Sequence, residues 1–193
     1  MKAAVLTGGA SRRMGTPKAD LLVDGAPMAV RVAEAARSSG ATAIAAVGRP
    51  VAGLEHLVED EPGAGPLGAL VVVLGWAEGD TVLVLGCDLI APSAAAMRAV
   101  VDELDADADA DVAVPVVDGR AQWLHGAWRA RASTIAALQQ AFAGGERSVH
   151  GAADALRVRR FASEDVASFR DADRPEDLPP GWAPGAGARS GLG

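Results

Sequence analysis

Tyrosine is absent from this chain, cysteine occurs once and lysine twice. The lone cysteine, Cys87, excludes an internal disulfide framework. Aromatic residues make up 4% of the sequence, and alanine and glycine dominate in their place. No apolar run reaches the roughly 18 residues of a membrane span. The N-terminal stretch "MKAAVLTGG" breaks its apolar run at Gly8, too soon for the hydrophobic region of a secretory signal. Basic charge is also in deficit: the net charge is -7. That balance argues against a general nucleic-acid or membrane-surface binder, which needs a basic face. A cytoplasmic enzyme or binding protein is the class expected, with one domain over residues 1–178.

Apolar strand-like runs alternate with helical ones. Strands are expected at Ala3–Thr7, Thr42–Val47, Leu54–Val58, Thr81–Gly86 and Val112–Val116. Helices are expected at Pro27–Ser39, stopped by Gly40, at Leu67–Ala77, and from about Pro92 with Ala91 near the cap. "TVLVLG" (81–86) is apolar throughout, as in a strand covered on both faces. This alternation predicts an α/β protein with a mainly parallel sheet. After Val117 the pattern changes. "VDGRAQWLHGAW" reads as a turn and an added antiparallel strand. Helices at Ala132–Ala143 and Val149–Leu156 follow, then a strand at "VRRF" and a short helix at "RPEDL". The tail 179–193 is rich in Gly, Pro and Ala and reads as disordered. "DELDADADAD" sets six carboxylates in ten residues. It lacks the glycine and closing glutamate of a calcium loop, so a solvated helix end is expected.

The stretch "LTGGASRRMGTPKADLL" gathers cations beside a glycine turn. It is neither a Walker A sequence nor GxGxxG. Gly8 and Gly9 permit positive φ and close backbone approach, so successive N–H groups can face an anion. Arg13 and Lys18 add full charges. A surface turn with incidental cations is the alternative reading. Among 18 basic residues only Lys2 and Lys18 are lysines, which suggests a need at residue 18 for a compact point charge. Asp88 closes the strongest buried strand, at the sheet edge where ligands bind in open α/β folds. Capping the next helix is its alternative role. Cys87 beside it reads as packing, because no Cys/His/Asn arrangement is visible.

These residues carry a resemblance. "LTGGASRRMGTPK" resembles the signature of the nucleotidyltransferases that include the molybdenum cofactor guanylyltransferases of the MobA type. "LLVDGAPM", "VEDEPGAGPLGAL", "VLVLGCDLI" and "FRDADRPEDL" resemble that family's later motifs, in order, to Leu178. The resemblance implies a Rossmann-like three-layer α/β/α fold. It implies transfer of GMP from GTP to molybdenum-bound molybdopterin, with Mg²⁺ as cofactor and transient contact with other proteins of the same biosynthesis. Arg13, Lys18 and Asp88 would be catalytic. Leu6, Thr7, Gly8, Gly9, Lys18, Asp60, Gly65, Pro66, Leu67 and Asp88 would hold the nucleotide, and Asp88 with Asp173 the metal. Glu59 and Glu61 flank Asp60, so the division of labour in "EDE" stays open. Asp171, Asp173 and Arg174 replace the family's two asparagines and threonine. Ionised aspartate keeps the acceptor but loses the amide donor. Arg174 is expected to pair with Asp171 or Asp173. "QWLHGAWR" resembles a family strand, in which His125 reads as an ordinary strand residue. "GGERSV" resembles a loop that would contact the acceptor's phosphate. Cytidylyl or other nucleotidyl transfer to a small phosphorylated acceptor, and nucleotide binding without turnover, remain alternatives.

Overall fold

The computed structural model describes residues 1–8, 17–172, 174–178 and 182. β1 (Lys2–Leu6) runs straight into Thr7 and Gly8. Lys18–Asp20 form a 3-10 turn, and β2 (Leu22–Val23) and β3 (Ala26–Pro27) make a small hairpin. Then come α1 (Met28–Ser38), β4 (Ala43–Val47), β5 (Glu55–Leu57), α2 (Pro66–Trp76) and β6 (Thr81–Gly86). The second half carries α3 (Ala94–Asp105), β7 (Val112–Val117), β8 (Arg120–Ala121), β9 (Ala127–Arg129), α4 (Ala132–Ala143), α5 (Val149–Ala152) and β10 (Val158–Ala162).

The main sheet has the order β10-β7-β9-β6-β1-β4-β5, with β8 beside β7. β1, β4, β5 and β6 pair in parallel, as do β7 and β10. β9 lies antiparallel between β6 and β7 and joins the two parallel blocks. The central strands β1 and β6 are buried on both sides, and alternation sorts their side chains between two cores. Ala3, Val5, Leu83 and Leu85 pack with α1, α3 and Phe169. Ala4, Leu6, Val82 and Val84 pack with α2, α4 and α5. The result is a three-layer α/β/α sandwich with a mainly parallel sheet.

α2 is apolar almost all round, which fits a helix starting at Pro66 and packed between the sheet and α4. Two expectations shift, and a third holds in part. α3 is capped by Ser93, whose Oγ accepts the Ala96 N–H at 3.2 Å, rather than near Ala91. Asp88 therefore lies too early in the chain to cap it. The helix expected at 149–156 tightens after Ala152 into a 3-10 turn, Ala153–Ala155. The acidic run forms the expected solvated helix end, with Asp102, Asp105 and Asp109 exposed, except that its last acid is buried and Arg129 crosses its start. Arg129 donates to the carbonyls of Leu104 (2.7 Å) and Asp107 (3.3 Å) at the end of α3. Buried Asp111 accepts the Arg157 N–H at 3.0 Å. No group of three or more acids, His and Cys suited to a metal occurs there or elsewhere among the described residues. The tail 179–193 lies outside the described residues apart from Trp182.

Candidate functional site

The ends of β1, β4 and β6 converge at the C-terminal edge of the sheet, where loops must leave the strands and ligands bind in this architecture. Gly48, just after β4, has φ +102° and passes so close to Gly8 that a Cβ on it would fall 2.5 Å from the Gly8 nitrogen. Thr7 locks the approach. Its N–H donates to the Val47 carbonyl at 2.8 Å, and its Oγ1 lies 2.8 Å from that carbonyl and 2.6 Å from that of Arg49.

A cavity of about 640 Å³ opens beside this junction. Leu6, Gly8 and Val47 wall it, Gly63, Gly65 and Pro66 border it, and Leu124 covers part of it. Its size is that of a site for a small molecule. Gly65 (φ +100°) lets the loop pass close to Arg147, whose carbonyl accepts the Leu67 N–H at 3.2 Å. Arg147 itself stacks on Phe142, 4.4 Å from the ring centre. The "GGERSV" segment thus buttresses the GPL loop from outside.

Among the described residues, the carboxylate at the cavity wall is that of Glu59. Burial pushes its pKa above the ordinary 4.5. Asp60, the acid expected at the nucleotide, is exposed. It lines a separate groove of about 220 Å³ with Glu61, Gly68 and Phe142. Glu59 borders that groove as well, so it sits between the two.

Asp88 stands at the turn after β6. Its Oδ2 accepts a 2.8 Å charge-assisted hydrogen bond from Lys18 Nζ, both side chains being largely buried. Burial and the charge of Asp171 hold the Asp88 carboxyl above its usual range, with Lys18 acting in the opposite direction. Cys87 is pushed up to about 12 by burial and by Asp88, so the thiol stays protonated and is no nucleophile. The segment around Asp171 bridges to Leu89 as an antiparallel pair, with the Ala172 N–H donating to the Asp88 carbonyl at 2.9 Å. Asp171 Oδ1 lies 2.7 Å from Nε2 of His125. His125 is buried in a 3-10 turn, Trp123–His125, rather than in a strand. Arg174, expected against Asp171 or Asp173, lies 3.7 Å from Glu176, and Asp173 is outside the described residues.

Lys18 and Asp88 are thus brought together across 70 residues of sequence. Leu6, Gly8, Gly65 and Pro66 meet at the cavity. Thr7 and Leu67 support it from behind, through the hydrogen bonds already given. Gly9, Arg13 and Asp173 lie outside the described residues. Sequence reasoning did not single out Gly48, Leu124 or the His125–Asp171 contact. The glycine that ends the "AIAAVG" strand was a usable signal for Gly48. Nothing local connects His125 to a residue 46 positions away.

The chain matches the MobA-like NTP transferase domain over residues 3–160. It is 31% identical to a probable molybdenum cofactor guanylyltransferase of Methanothermobacter thermautotrophicus, over 91% of this chain and 95% of the relative. A protein of the same description from Bacillus velezensis is 32% identical over 68% of each chain. Among solved structures, molybdopterin-guanine dinucleotide biosynthesis protein A of Archaeoglobus fulgidus superposes with a TM-score of 0.74 at 21% identity, covering 92% of this chain and 95% of that one. At that identity the likeness speaks for the fold.

Proposed function

The chain belongs to the MobA-like NTP transferase family, and we propose that it transfers GMP from GTP to the terminal phosphate of molybdenum-bound molybdopterin, in the cytoplasm. A phosphate oxygen of the acceptor attacks the α-phosphorus of GTP. The bond from that phosphorus to the bridging oxygen breaks, and pyrophosphate leaves. An acceptor phosphate already ionised near neutral pH needs no general base. The chain's work is to position the two phosphates and offset their charge. The observation that carries this reading is the Lys18–Asp88 pair at the sheet edge next to a nucleoside-sized cavity.

Glu59, which lines the cavity, would be the acid that reads the base. A carboxylate can accept both the N1–H and the 2-amino group of guanine, whereas adenine offers N1 as an acceptor and is repelled. Gly8 and Gly9 would present backbone N–H groups to the phosphates. Arg13 and Lys18 would hold them and the departing pyrophosphate. The residues present suit Mg²⁺. Asp88 is a hard oxygen donor, largely buried and crowded by a second acid. The ion, when bound, supplies charge neutralisation and organises the phosphates. Asp88 would hold it, with Lys18 released from Asp88 to the nucleotide. The acids at 171 and 173, in place of the family's asparagines, favour a second reading, a nucleotide-binding protein without turnover.

A thermal-shift panel of GTP, CTP, ATP and UTP with Mg²⁺ tests the base, since binding raises stability by mass action. GTP should raise the melting temperature most. Largest stabilisation by CTP would move the assignment to cytidylyl transfer. Release of pyrophosphate from GTP with the acceptor present separates an enzyme from a binder.

A further inference from the structure

We infer that His56, on the exposed edge strand β5, is a positioning residue for the cavity: its imidazole holds the backbone crossing against which Gly8 is set. This role rests on the reading of that cavity as the nucleotide site and adds a residue to it. His56 Nε2 lies 3.0 Å from the Gly48 carbonyl oxygen. A carbonyl only accepts, so Nε2 carries the proton and donates. The β4–β5 ladder ends before this point, at Val47 opposite Leu57. Strand pairing stops short of Gly48, and a side chain takes over.

Three successive carbonyls are held here, from opposite sides. Those of Val47 and Arg49 accept from Thr7, at the end of β1. That of Gly48 accepts from His56, on β5. β1 and β5 are the two neighbours of β4 in the sheet. The middle peptide needs a restraint of its own. Gly48 stands at φ +102°, and a glycine gives up more freedom than any other residue when its backbone is fixed. Rotation there would move Gly48 against Gly8, which walls the cavity. Beyond β5 the same segment brings Glu59 to that cavity. One hydrogen bond thus ties the strand end that supplies Val47 to the segment that supplies Glu59.

A tie that only fastens the edge strand would explain the bond but not its landing point. His56 stands opposite Ala46 in the ladder, yet its ring reaches past Val47 to Gly48. That span is two strand residues, about 6.6 Å. It calls for a side chain of imidazole length. His56 is exposed, so its ring is not there to fill the core. Glutamine sets its amide nitrogen at the same reach as Nε2, and asparagine is a methylene shorter. Length therefore separates a positioned donor from a polar residue at the sheet edge.

The test compares His56→Ala, His56→Asn and His56→Gln in the full chain by two readouts. The first is calorimetric titration with GTP and Mg²⁺. His56→Ala should weaken binding by about 3- to 10-fold, the scale of one lost hydrogen bond. His56→Asn should match it, and His56→Gln should return to within about two-fold of wild type. The second readout is the amide spectrum of the nucleotide-free protein by nuclear magnetic resonance. The Gly8 and Thr7 resonances should differ between His56→Ala and His56→Gln, two chains that both lack the ring, while those of β6 coincide. GTP affinity in His56→Ala within about two-fold of wild type would overturn the inference. So would His56→Gln binding as weakly as His56→Ala, or a Gly8 resonance identical in the two. Wild-type protein that bound no GTP would remove the proposed function, and the Gly8 and Thr7 resonances would then decide the role of His56 alone.

Discussion

Glu59 shows how a binding residue can weaken the fold that carries it. Its carboxylate is partly desolvated at the cavity wall, and its pKa is raised for that reason. The folded state therefore holds a proton on Glu59 more tightly than the unfolded chain does. Above the raised value the group is ionised in both states, and the fold bears the whole desolvation penalty. The penalty fades as pH falls toward the ordinary 4.5 and is gone below it. Glu59→Gln should accordingly melt higher than wild type at pH 7, by up to about 2 °C for a chain of this size. The difference should close at pH 4. The same variant should lose its preference for GTP over ATP, because an amide offers guanine one acceptor and one donor where two acceptors are wanted. A lower melting temperature at pH 7 would mean that the ionised group has a favourable partner in the fold. At this scale Lys18 and Asp88 were legible, one as a rare residue type and one from its place at a strand end. Glu59 was not singled out from Asp60, because the direction each takes depends on how the chain turns after β5, which no local pattern shows. The His125–Asp171 contact was illegible, since two loops must fold onto one strand end to create it.

The backbone crossing between β1 and β4 is the element on which the cavity depends. Gly48 combines a left-handed φ with direct contact on Gly8, while Gly53, at φ +81°, has nothing within 4 Å of its would-be Cβ. Both are strained by alanine, but only one is also blocked. Gly53→Ala should cost ~1 kcal/mol, the ordinary left-handed penalty. Gly48→Ala should cost ~3 kcal/mol or more, because relief requires the strand ends to part. It should also abolish nucleotide binding, since Leu6, Gly8 and Val47 wall the cavity. Urea denaturation of the two variants measures the comparison, and equal costs would show that the crossing yields easily. Elements themselves were largely readable. Strands such as "TVLVLG" and helices such as 132–143 announce themselves by apolar pattern and length. What escaped was chemistry carried by single atoms. Ser93 rather than Ala91 starts α3 because a hydroxyl can accept an N–H. Trp123–His125 tightens into a turn because β8 and β9 both run antiparallel to β7 but in different registers, and the residues between them must be taken up.

Across the whole molecule the sheet is unevenly protected, and the candidate site sits at its better-protected part. In β1 and β6 the apolar residues from Ala3 to Val5 and from Val82 to Leu85 are fully buried between two helical layers. β10 is an edge strand next to β7 only, with its side chains partly or fully exposed. Amides of β1 and β6 should therefore exchange with solvent only when the chain unfolds globally. Those of β10 should exchange through local opening at lower cost. A nucleotide binds the folded form and lowers the globally unfolded population by the factor 1 + [L]/Kd. With GTP and Mg²⁺ at 100 times Kd, exchange in β1 and β6 should slow by ~100-fold. Local opening of β10 leaves the cavity intact and releases no ligand, so its exchange should be unchanged. Native-state hydrogen exchange with and without nucleotide reads both strands in one experiment. Equal slowing of β10 would mean that the sheet opens only as one unit, with the antiparallel β9 coupling the far edge to the site. No slowing in β1 and β6, with β10 equally indifferent, would mean that the folded chain does not bind the nucleotide, or that these strands exchange without global unfolding.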